Sequence, residues 1–197
     1  MSDALILMGI KHCGKTTQGR LLSRHFACPF FDTDDVLQEL TGRSPRQVYA
    51  EQGEEAFVAA EAEACRHVAR LLVERLPAAQ PYAAVIATGG GICKNDEAVA
   101  VLRALGTLVF LHAQEKTAAD RIVREVRVEA DGSLANLPAY IARERPRTLD
   151  EVRASFHRFY VERTERYAAI CTVRVPLEPA SPEENMQSIL RALAASR

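Results

Sequence analysis

The sequence predicts an α/β fold, a three-layer sandwich in which helices cover both faces of a parallel sheet. Two observations predict it. Short apolar runs alternate with segments of helical periodicity along the 197 residues. The first apolar run, residues 4–8, leads through a glycine-rich turn into a helical segment that starts near Gln18. Because the length suits one domain, we expect residues 1–197 to form a single domain.

The glycine-rich turn has the spacing of a phosphate-binding loop, with Gly9, four residues, and then Gly14, Lys15 and Thr16. Its backbone N–H groups and the following helix dipole favour phosphate. The motif predicts that Lys15 reaches the β- and γ-phosphates and that Thr16 binds Mg²⁺. A chance match is the alternative, and the position at a strand-to-helix turn argues against it. The residues expected to bind nucleotide here are Gly9, Cys13, Gly14, Lys15, Thr16 and Thr17.

The charge is nearly balanced, with 25 basic and 26 acidic residues. This balance argues against a general nucleic-acid or membrane-surface binder. The first residues lack the pattern of a signal peptide, and no apolar stretch approaches the length of a membrane span. We therefore expect a cytoplasmic monomer that acts on a small molecule. The five cysteines show no metal-ligand spacing and are interpreted as reduced thiols.

Acidic residues follow the second predicted strand, residues 29–32. Asp32 and Asp34 come at its carboxyl end, where ligands bind in α/β sheets. Two residues apart on an extended backbone, they point the same way. We expect one carboxylate to orient the waters of the metal and the other to accept a proton from an acceptor hydroxyl. The alternative is that a residue of 33–35 caps a helix that begins near Val36.

A long alanine-rich helix is predicted from Glu54 to about Leu76, after a break at Gly53 and before Pro77. Glu61 lies on its partly apolar stripe, where a buried carboxylate is costly unless it is paired. The pattern leaves open whether Glu61 reaches into a cleft or lies at the surface edge.

The third predicted strand, residues 82–88, is continuously apolar and ends in Gly89, Gly90 and Gly91. Three glycines at this position allow close approach of a ligand to the backbone, and a flexible turn is the alternative. The remaining predicted strands lie at 107–111 and, as the fifth, at 171–175. The remaining predicted helices lie at about 96–105, from about Lys116, and from Ser181–Pro182. The helix from about Lys116 carries Arg121, Arg124 and Arg127.

The segment from 129 to 145 is the least regular part of the chain and reads as a mobile surface loop. Its arginines suggest a lid that brings charge to a transferring phosphoryl group, and a solvated charge run is the alternative. The helix predicted from Asp150 to about Tyr167 carries Arg163 beside its apolar face. An arginine there either reaches back to the surface or holds an anion in the cleft.

Taken together, these residues resemble the shikimate kinase family from the phosphate loop to the last helix. The segments that carry the resemblance are Phe30–Asp34, Gly53–Phe57, Gly89–Gly91, Arg145–Pro146, and Arg163 four residues before Tyr167. The resemblance implies a P-loop kinase with the sheet order 2-3-1-4-5, acceptor-binding helices at about 33–76 and a mobile lid at about 128–148.

The resemblance also implies residue roles. ATP and Mg²⁺ would be handled by Lys15, Thr16 and Asp32, while Asp34 would bind the acceptor hydroxyl as a candidate base. The other implied contacts are the glycine triplet with the acceptor ring, Arg145 over the phosphates, Arg163 with the acceptor carboxylate, and Arg121 with Pro182 on either side of the adenine. We therefore expect Lys15, Asp34 and Arg145 to be catalytic.

Two departures from the family pattern concern the acceptor. Val58 stands where shikimate kinases have an arginine that pairs the acceptor carboxylate, and we consider Arg43 or Arg66 as its substitute. Twenty-four positions separate Arg121 from Arg145, more than is typical of the family. We expect ATP-dependent phosphorylation of a small carboxylated polyol, namely shikimate. The alternatives are gluconate or another hydroxy acid as acceptor, and a non-catalytic ATP-binding regulator.

Overall fold

The computed structural model describes residues 3–74 and 80–196. Its strands are β1 Ala4–Met8, β2 Phe30–Asp32, β3 Val85–Ala87, β4 Gly106–Ala113, β5 Arg127–Val128, β6 Leu134–Ala135 and β7 Val173–Leu177. Its helices are α1 Lys15–Phe26, α2 Thr33–Thr41, α3 Pro45–Val73, α4 Asp96–Leu105, α5 Glu115–Glu125, α6 Ala139–Ala142, α7 Leu149–Ile170 and α8 Pro182–Ala195. A 3₁₀ turn at Ile92–Lys94 precedes α4.

A five-stranded parallel sheet forms the centre, in the order β2-β3-β1-β4-β7. Leu5 of β1 pairs with Val85 on one side and with Thr107 on the other. Every residue of β1 is buried, because a central parallel strand has helices over both faces. The predicted order 2-3-1-4-5 is confirmed, since β7 is the fifth strand of this sheet and β5 and β6 form a separate hairpin.

Several predicted boundaries were wrong by two or three residues. β3 begins at Val85 instead of Tyr82, because ladder pairing with both neighbours starts there. The fifth sheet strand begins at Val173, and α2 begins at Thr33 instead of Val36. Arg127 lies in β5, beyond the end of α5. The predicted helix end at Leu76 and Pro77 lies outside the described residues.

The predicted break at Gly53 is confirmed. Gly53 has φ 87° and ψ −177° inside the span of α3, which divides that helix into two parts. This backbone conformation is open to glycine and strained for other residues. The second part of α3 carries Glu61, whose carboxyl group accepts a hydrogen bond from Asn95 at the start of α4.

The segment predicted as an irregular loop carries regular structure. β5 and β6 form an antiparallel hairpin, and α6 follows it. Leu137 and Ile141 are buried, so the segment is packed onto the domain. Among the described residues, no helix is long and apolar enough to cross a membrane.

Candidate active site

Two cavities meet at the phosphate loop. The inner cavity has a volume of about 400 Å³ and extends from the loop past the glycine triplet to α3, α6 and α7. The outer cavity, of about 470 Å³, lies between the loop and α5 and includes Thr17, Arg121 and Arg124. His12, Lys15 and Thr16 line both cavities. A group bound at these residues can therefore be reached from either side.

The phosphate loop is held in shape by its own backbone. Gly9 has φ 152°, and a β-carbon there would lie 2.6 Å from the carbonyl oxygen of Leu111, so the position requires glycine. The buried Lys15 Nζ donates hydrogen bonds to the carbonyl oxygens of Gly9 and Ile10, both at 2.9 Å. Cys13 is buried inside the loop. The ammonium group is therefore fixed at the junction of the cavities.

Asp32 accepts two hydrogen bonds at the start of α2. Its Oδ2 accepts a hydrogen bond from Thr16 Oγ1 at 2.8 Å, and its Oδ1 accepts one from the backbone N–H of Asp34 at 3.1 Å. The helix cap is thus Asp32, and not a residue of 33–35 as the alternative interpretation proposed. The premise of an extended backbone was also wrong for Asp34, which lies in the first turn of α2.

The Thr16–Asp32 pair has the chemistry that Mg²⁺ prefers. Among the described residues, no group of three or more His, Cys, Asp or Glu could hold a metal. Mg²⁺ is usually bound by one or two carboxylates together with substrate phosphates, rather than by a cage of protein ligands. A hydroxyl and a carboxylate 2.8 Å apart beside a phosphate loop fit that mode of binding.

The carboxyl groups of Asp34 and Glu61 lie close together in the lining of the inner cavity. A β-carbon on Gly89 would lie 2.9 Å from an oxygen of each of them. Burial raises the pKa of Asp34, and the neighbouring charge of Asp32 adds to the effect. Burial also raises the pKa of Glu61, to about 7. Near neutral pH this pair can hold a proton that isolated carboxylates would release.

The open question about Glu61 is resolved in favour of the cavity. Glu61 is 3% exposed, and its Oε2 accepts a hydrogen bond from Asn95 Nδ2 at 3.0 Å. The same Asn95 amide donates to the backbone carbonyl of Val58 at 2.9 Å. Glu61 Oε1 is buried without a hydrogen-bond partner in the described structure. That oxygen lies beside Gly89 and is enclosed by protein.

All three residues of the glycine triplet line the inner cavity. A β-carbon on Gly90 would lie 2.7 Å from the backbone nitrogen of Lys11 in the phosphate loop. The Gly90 carbonyl accepts a hydrogen bond from Arg163 Nη1 at 3.0 Å. The triplet thus joins the phosphate loop to α7, and its part in ligand contact stays a prediction.

Arg163 points into the cavity. Its side chain is 8% exposed, which excludes the alternative that it reaches back to the surface. The guanidinium carbon lies 4.2 Å from the ring centroid of Tyr140 and 5.5 Å from that of Phe159. Arg163 Nε is buried without a hydrogen-bond partner in the described structure. The part of the arginine that lies toward Gly91, a residue of the cavity lining, is instead Nη2.

Neither proposed substitute for an arginine at position 58 lies at the cavity. Arg43 pairs with Glu51 at 2.9 Å, and Arg66 pairs with Glu63 at 2.7 Å. Val58 itself lines the inner cavity. The basic side chains that line this cavity are Lys11, Lys15, Arg46, Lys94, Arg143 and Arg163.

The remaining predicted nucleotide contacts do not all lie at the two cavities. Arg121 lines the outer cavity and donates to the carbonyl oxygen of His12 at 2.6 Å. Pro182 opens α8, and its carbonyl accepts from Gln18 Nε2 at 2.9 Å, but it lines neither cavity. Arg145 is exposed and also lies outside both cavities. The structure does not bring Arg145 to the phosphate loop.

Sequence reasoning missed several residues of the inner cavity, among them Lys11, Tyr49, Asn95 and Tyr140. Asn95 follows the glycine triplet closely and could have been considered for that reason. Tyr140 lies in the segment read as irregular, whose arginines, Arg143 among them, suggested a lid, but Tyr140 itself gave no signal.

Comparisons with known proteins agree on one family. The shikimate kinase family model matches residues 11–194. The shikimate kinase of Symbiobacterium thermophilum is 33% identical over 184 residues, which cover 91% of this chain and 92% of that protein. The matches to shikimate kinases of Desulforudis audaxviator, at 37% identity, and Sodalis glossinidius, at 35%, span 59% and 64% of those proteins.

Solved structures have the same fold. The crystal structure of shikimate kinase from Aquifex aeolicus is 28% identical and has a TM-score of 0.65, covering 98% of this chain and 96% of that one. A shikimate kinase from Acinetobacter baumannii in complex with shikimate has a TM-score of 0.76 at 20% identity, covering 100% and 96%. A gluconokinase from Sinorhizobium meliloti, at 16% identity and a TM-score of 0.53, covering 98% and 92%, shares the fold alone.

Proposed function

This chain belongs to the shikimate kinase family, and we propose that it transfers the γ-phosphoryl group of ATP to a hydroxyl of shikimate, giving shikimate 3-phosphate. One observation carries the proposal. Lys15 and Thr16 line both cavities, and Asp34 lines the inner one. A phosphate held at the loop from the outer cavity is thereby presented to a hydroxyl held in the inner cavity.

Positioning and charge stabilisation supply most of the catalysis in phosphoryl transfer. Lys15 carries its charge at the junction of the cavities, where negative charge on the transferring group must be balanced. The acceptor oxygen forms a bond to the γ-phosphorus as the bond from that phosphorus to the bridging oxygen breaks, and ADP leaves. The backbone N–H groups of the loop hold the remaining phosphates.

Asp34 is the candidate base. Its carboxylate can accept a hydrogen bond from the acceptor hydroxyl and take up the proton as the new oxygen–phosphorus bond forms. Because burial raises its pKa, Asp34 is a stronger proton acceptor than an exposed aspartate. The adjacent Glu61 contributes a second carboxyl to the same cavity lining and can bind a further hydroxyl of the acceptor.

Mg²⁺ would be held by Thr16 and Asp32 together with the phosphates of ATP. When bound, it neutralises charge on the β- and γ-phosphates. Thr16 and Asp32 already hold each other in place, so little side-chain rearrangement is required of this chain.

The acceptor carboxylate would pair with Arg163. This guanidinium lines the inner cavity with its Nη2 toward Gly91, and a charge-assisted hydrogen bond to a carboxylate is stronger than a neutral one. Arg145, expected over the phosphates, would have to move inward with its segment. Three expectations stay predictions. They are the role of Arg145, the flanking of adenine by Arg121 and Pro182, and a cytoplasmic monomeric state without a nucleic-acid or membrane partner.

ADP release in a coupled assay tests the proposal. We expect saturable release from ATP·Mg²⁺ with shikimate, and little with gluconate or without an acceptor. Release with gluconate instead would assign the same transfer chemistry to another hydroxy acid. ATP binding without release in any arm would contradict an enzymatic function and support the regulator.

A further inference from the structure

Two aromatic rings lie beside the guanidinium of Arg163, which lines the inner cavity. The Arg163 guanidinium carbon lies 4.2 Å from the Tyr140 ring centroid and 5.5 Å from the Phe159 centroid. The two rings also touch, in a T-shaped arrangement with centroids 4.6 Å apart. Phe159 is four residues before Arg163 on α7, so it belongs to the same rigid helix. Tyr140 comes from a separate element, α6.

Helix α6 is fixed to the domain on two sides. Ile141 is fully buried in the core, next to Tyr140 in the sequence. At the end of the helix, the Arg143 side chain pairs with Glu54 of α3 at 3.1 Å and lies over the ring of Tyr49. The position of the Tyr140 ring therefore depends on the docking of α6 against α3 and the core.

A ring packed on one face of the guanidinium limits which part of Arg163 can contact a ligand. It excludes water from one face of the cation, and it leaves the hydrogen-bonding edge open, because the donors lie in the guanidinium plane. One donor, Nη1, is used on the Gly90 carbonyl at 3.0 Å. Nε is buried without a partner in the described structure, and the Nη2 edge, which lies toward Gly91 at the cavity, remains for a ligand.

We propose that Tyr140 is a positioning residue for the acceptor carboxylate, and that its ring, packed edge-to-face on Phe159, supports one side of the Arg163 guanidinium. The acceptor site is then complete only when α6 is docked, so acceptor binding and docking of this segment favour each other. This inference rests on the proposed function, since it concerns the anionic group of the acceptor bound at Arg163.

The test compares Tyr140→Leu with Tyr140→Phe in steady-state kinetics. Leucine removes the aromatic face, and phenylalanine keeps it. With shikimate we expect Tyr140→Leu to raise KM about tenfold, as for loss of a desolvated cation–π contact, with kcat changed by no more than about twofold. Tyr140→Phe should restore the KM of the wild type. Ile141→Val loosens the docking of the same helix but keeps the Tyr140 ring, so its KM should rise, by a smaller factor than that of Tyr140→Leu.

A second readout separates positioning from general damage. The methyl ester of shikimate lacks the charge that Arg163 pairs. We expect the ratio of kcat/KM for the acid to that for the ester to fall about tenfold in Tyr140→Leu, which is the same loss expressed as selectivity. In a double-mutant cycle with Arg163→Lys, the effects should be strongly non-additive, because both changes act on one interaction.

The outcomes are distinct. Equal loss of activity toward acid and ester, additive effects with Arg163→Lys, or a Tyr140→Phe variant as poor as Tyr140→Leu would overturn the inference while leaving the proposed function in place. A wild-type protein that does not phosphorylate shikimate at all would contradict the proposed function, and the inference with it.

Discussion

The nucleotide side and the acceptor side of this site are built differently. Around the phosphate loop, polar side chains are paired within the protein: Lys15 with two loop carbonyls, and Thr16 with Asp32. On the acceptor side, Glu61 Oε1 and Arg163 Nε are buried without hydrogen-bond partners in the described structure. Unpaired buried polar atoms are costly and need an explanation.

The difference teaches how each side works. A phosphate-binding loop with internal hydrogen bonds is organised before the nucleotide arrives, so its binding requires little rearrangement. The acceptor side instead holds buried polar atoms without partners, so its hydrogen bonds can rearrange when a ligand binds. We infer that stabilisation of the transferring charge resides in the first side, and that the base and the choice of acceptor reside in the second. The following predictions test that division, starting with the largest expected effect.

Removal of the Lys15 charge should nearly abolish transfer. In Lys15→Met we expect kcat to fall by about a thousandfold, the scale for loss of one group that stabilises charge in the transition state. Lys116→Met, an exposed lysine on α5, is the control and should stay within about twofold of the wild-type kcat. A Lys15→Met enzyme that keeps a tenth of its activity in the coupled assay would show that charge at the junction is not decisive.

Asp34→Asn tests the base on the acceptor side. Asparagine keeps the shape but cannot take up the proton, so kcat should fall about 10²- to 10⁴-fold. Shikimate binding measured by calorimetry should weaken far less. Asp35→Asn changes the next residue, which is exposed and lines neither cavity, and should be nearly silent. Comparable losses in the two variants would argue for a general effect on α2.

The stability of the fold should depend on the proton of Glu61. Its pKa is raised to about 7 in the folded protein from an ordinary value of 4.5, so the folded state holds a proton that the unfolded state releases. The free energy of unfolding should therefore be greatest below pH 4.5 for this group and fall as the pH rises toward 7. The fall amounts to about 3 kcal/mol at most.

Urea unfolding at pH 5 and pH 8 measures this effect. Glu61→Gln cannot titrate, so its free energy of unfolding should fall less between the two pH values than that of the wild type. Other carboxyl groups titrate in both proteins and cancel in the comparison. Parallel pH dependence of the two proteins would mean that Glu61 is ionised in the fold throughout this range.

Val58→Arg should strengthen acceptor binding. Position 58 lines the inner cavity and lies three residues before Glu61 on α3, so a guanidinium there reaches both the cavity and the unpaired Glu61 oxygen. We expect KM for shikimate to fall about tenfold, the scale of one added charge-assisted hydrogen bond. Val161→Arg adds the same charge at an exposed position of α7 and should leave KM unchanged. An unchanged or higher KM in Val58→Arg would count against a shikimate pocket that lacks one arginine.

Much of the nucleotide side was predictable from the sequence. Gly9, Gly14, Lys15 and Thr16 are close in the chain, and their spacing alone fixes which backbone groups and side chains meet a phosphate. The alternation of apolar runs and helical segments likewise predicted the sheet. In both cases the interacting groups are neighbours in sequence, or follow a period that secondary structure imposes.

Only the tertiary structure decided the acceptor side. It turned Glu61 into the cavity, kept Arg43 and Arg66 out of it, and brought Tyr140 against Arg163. It also moved Asp34 from the predicted extended backbone into the first turn of α2. These results depend on contacts between segments far apart in the chain, and on burial that no local pattern reports. Local spacing therefore determined the form of the phosphate loop, and packing between distant elements determined which side chains line the inner cavity.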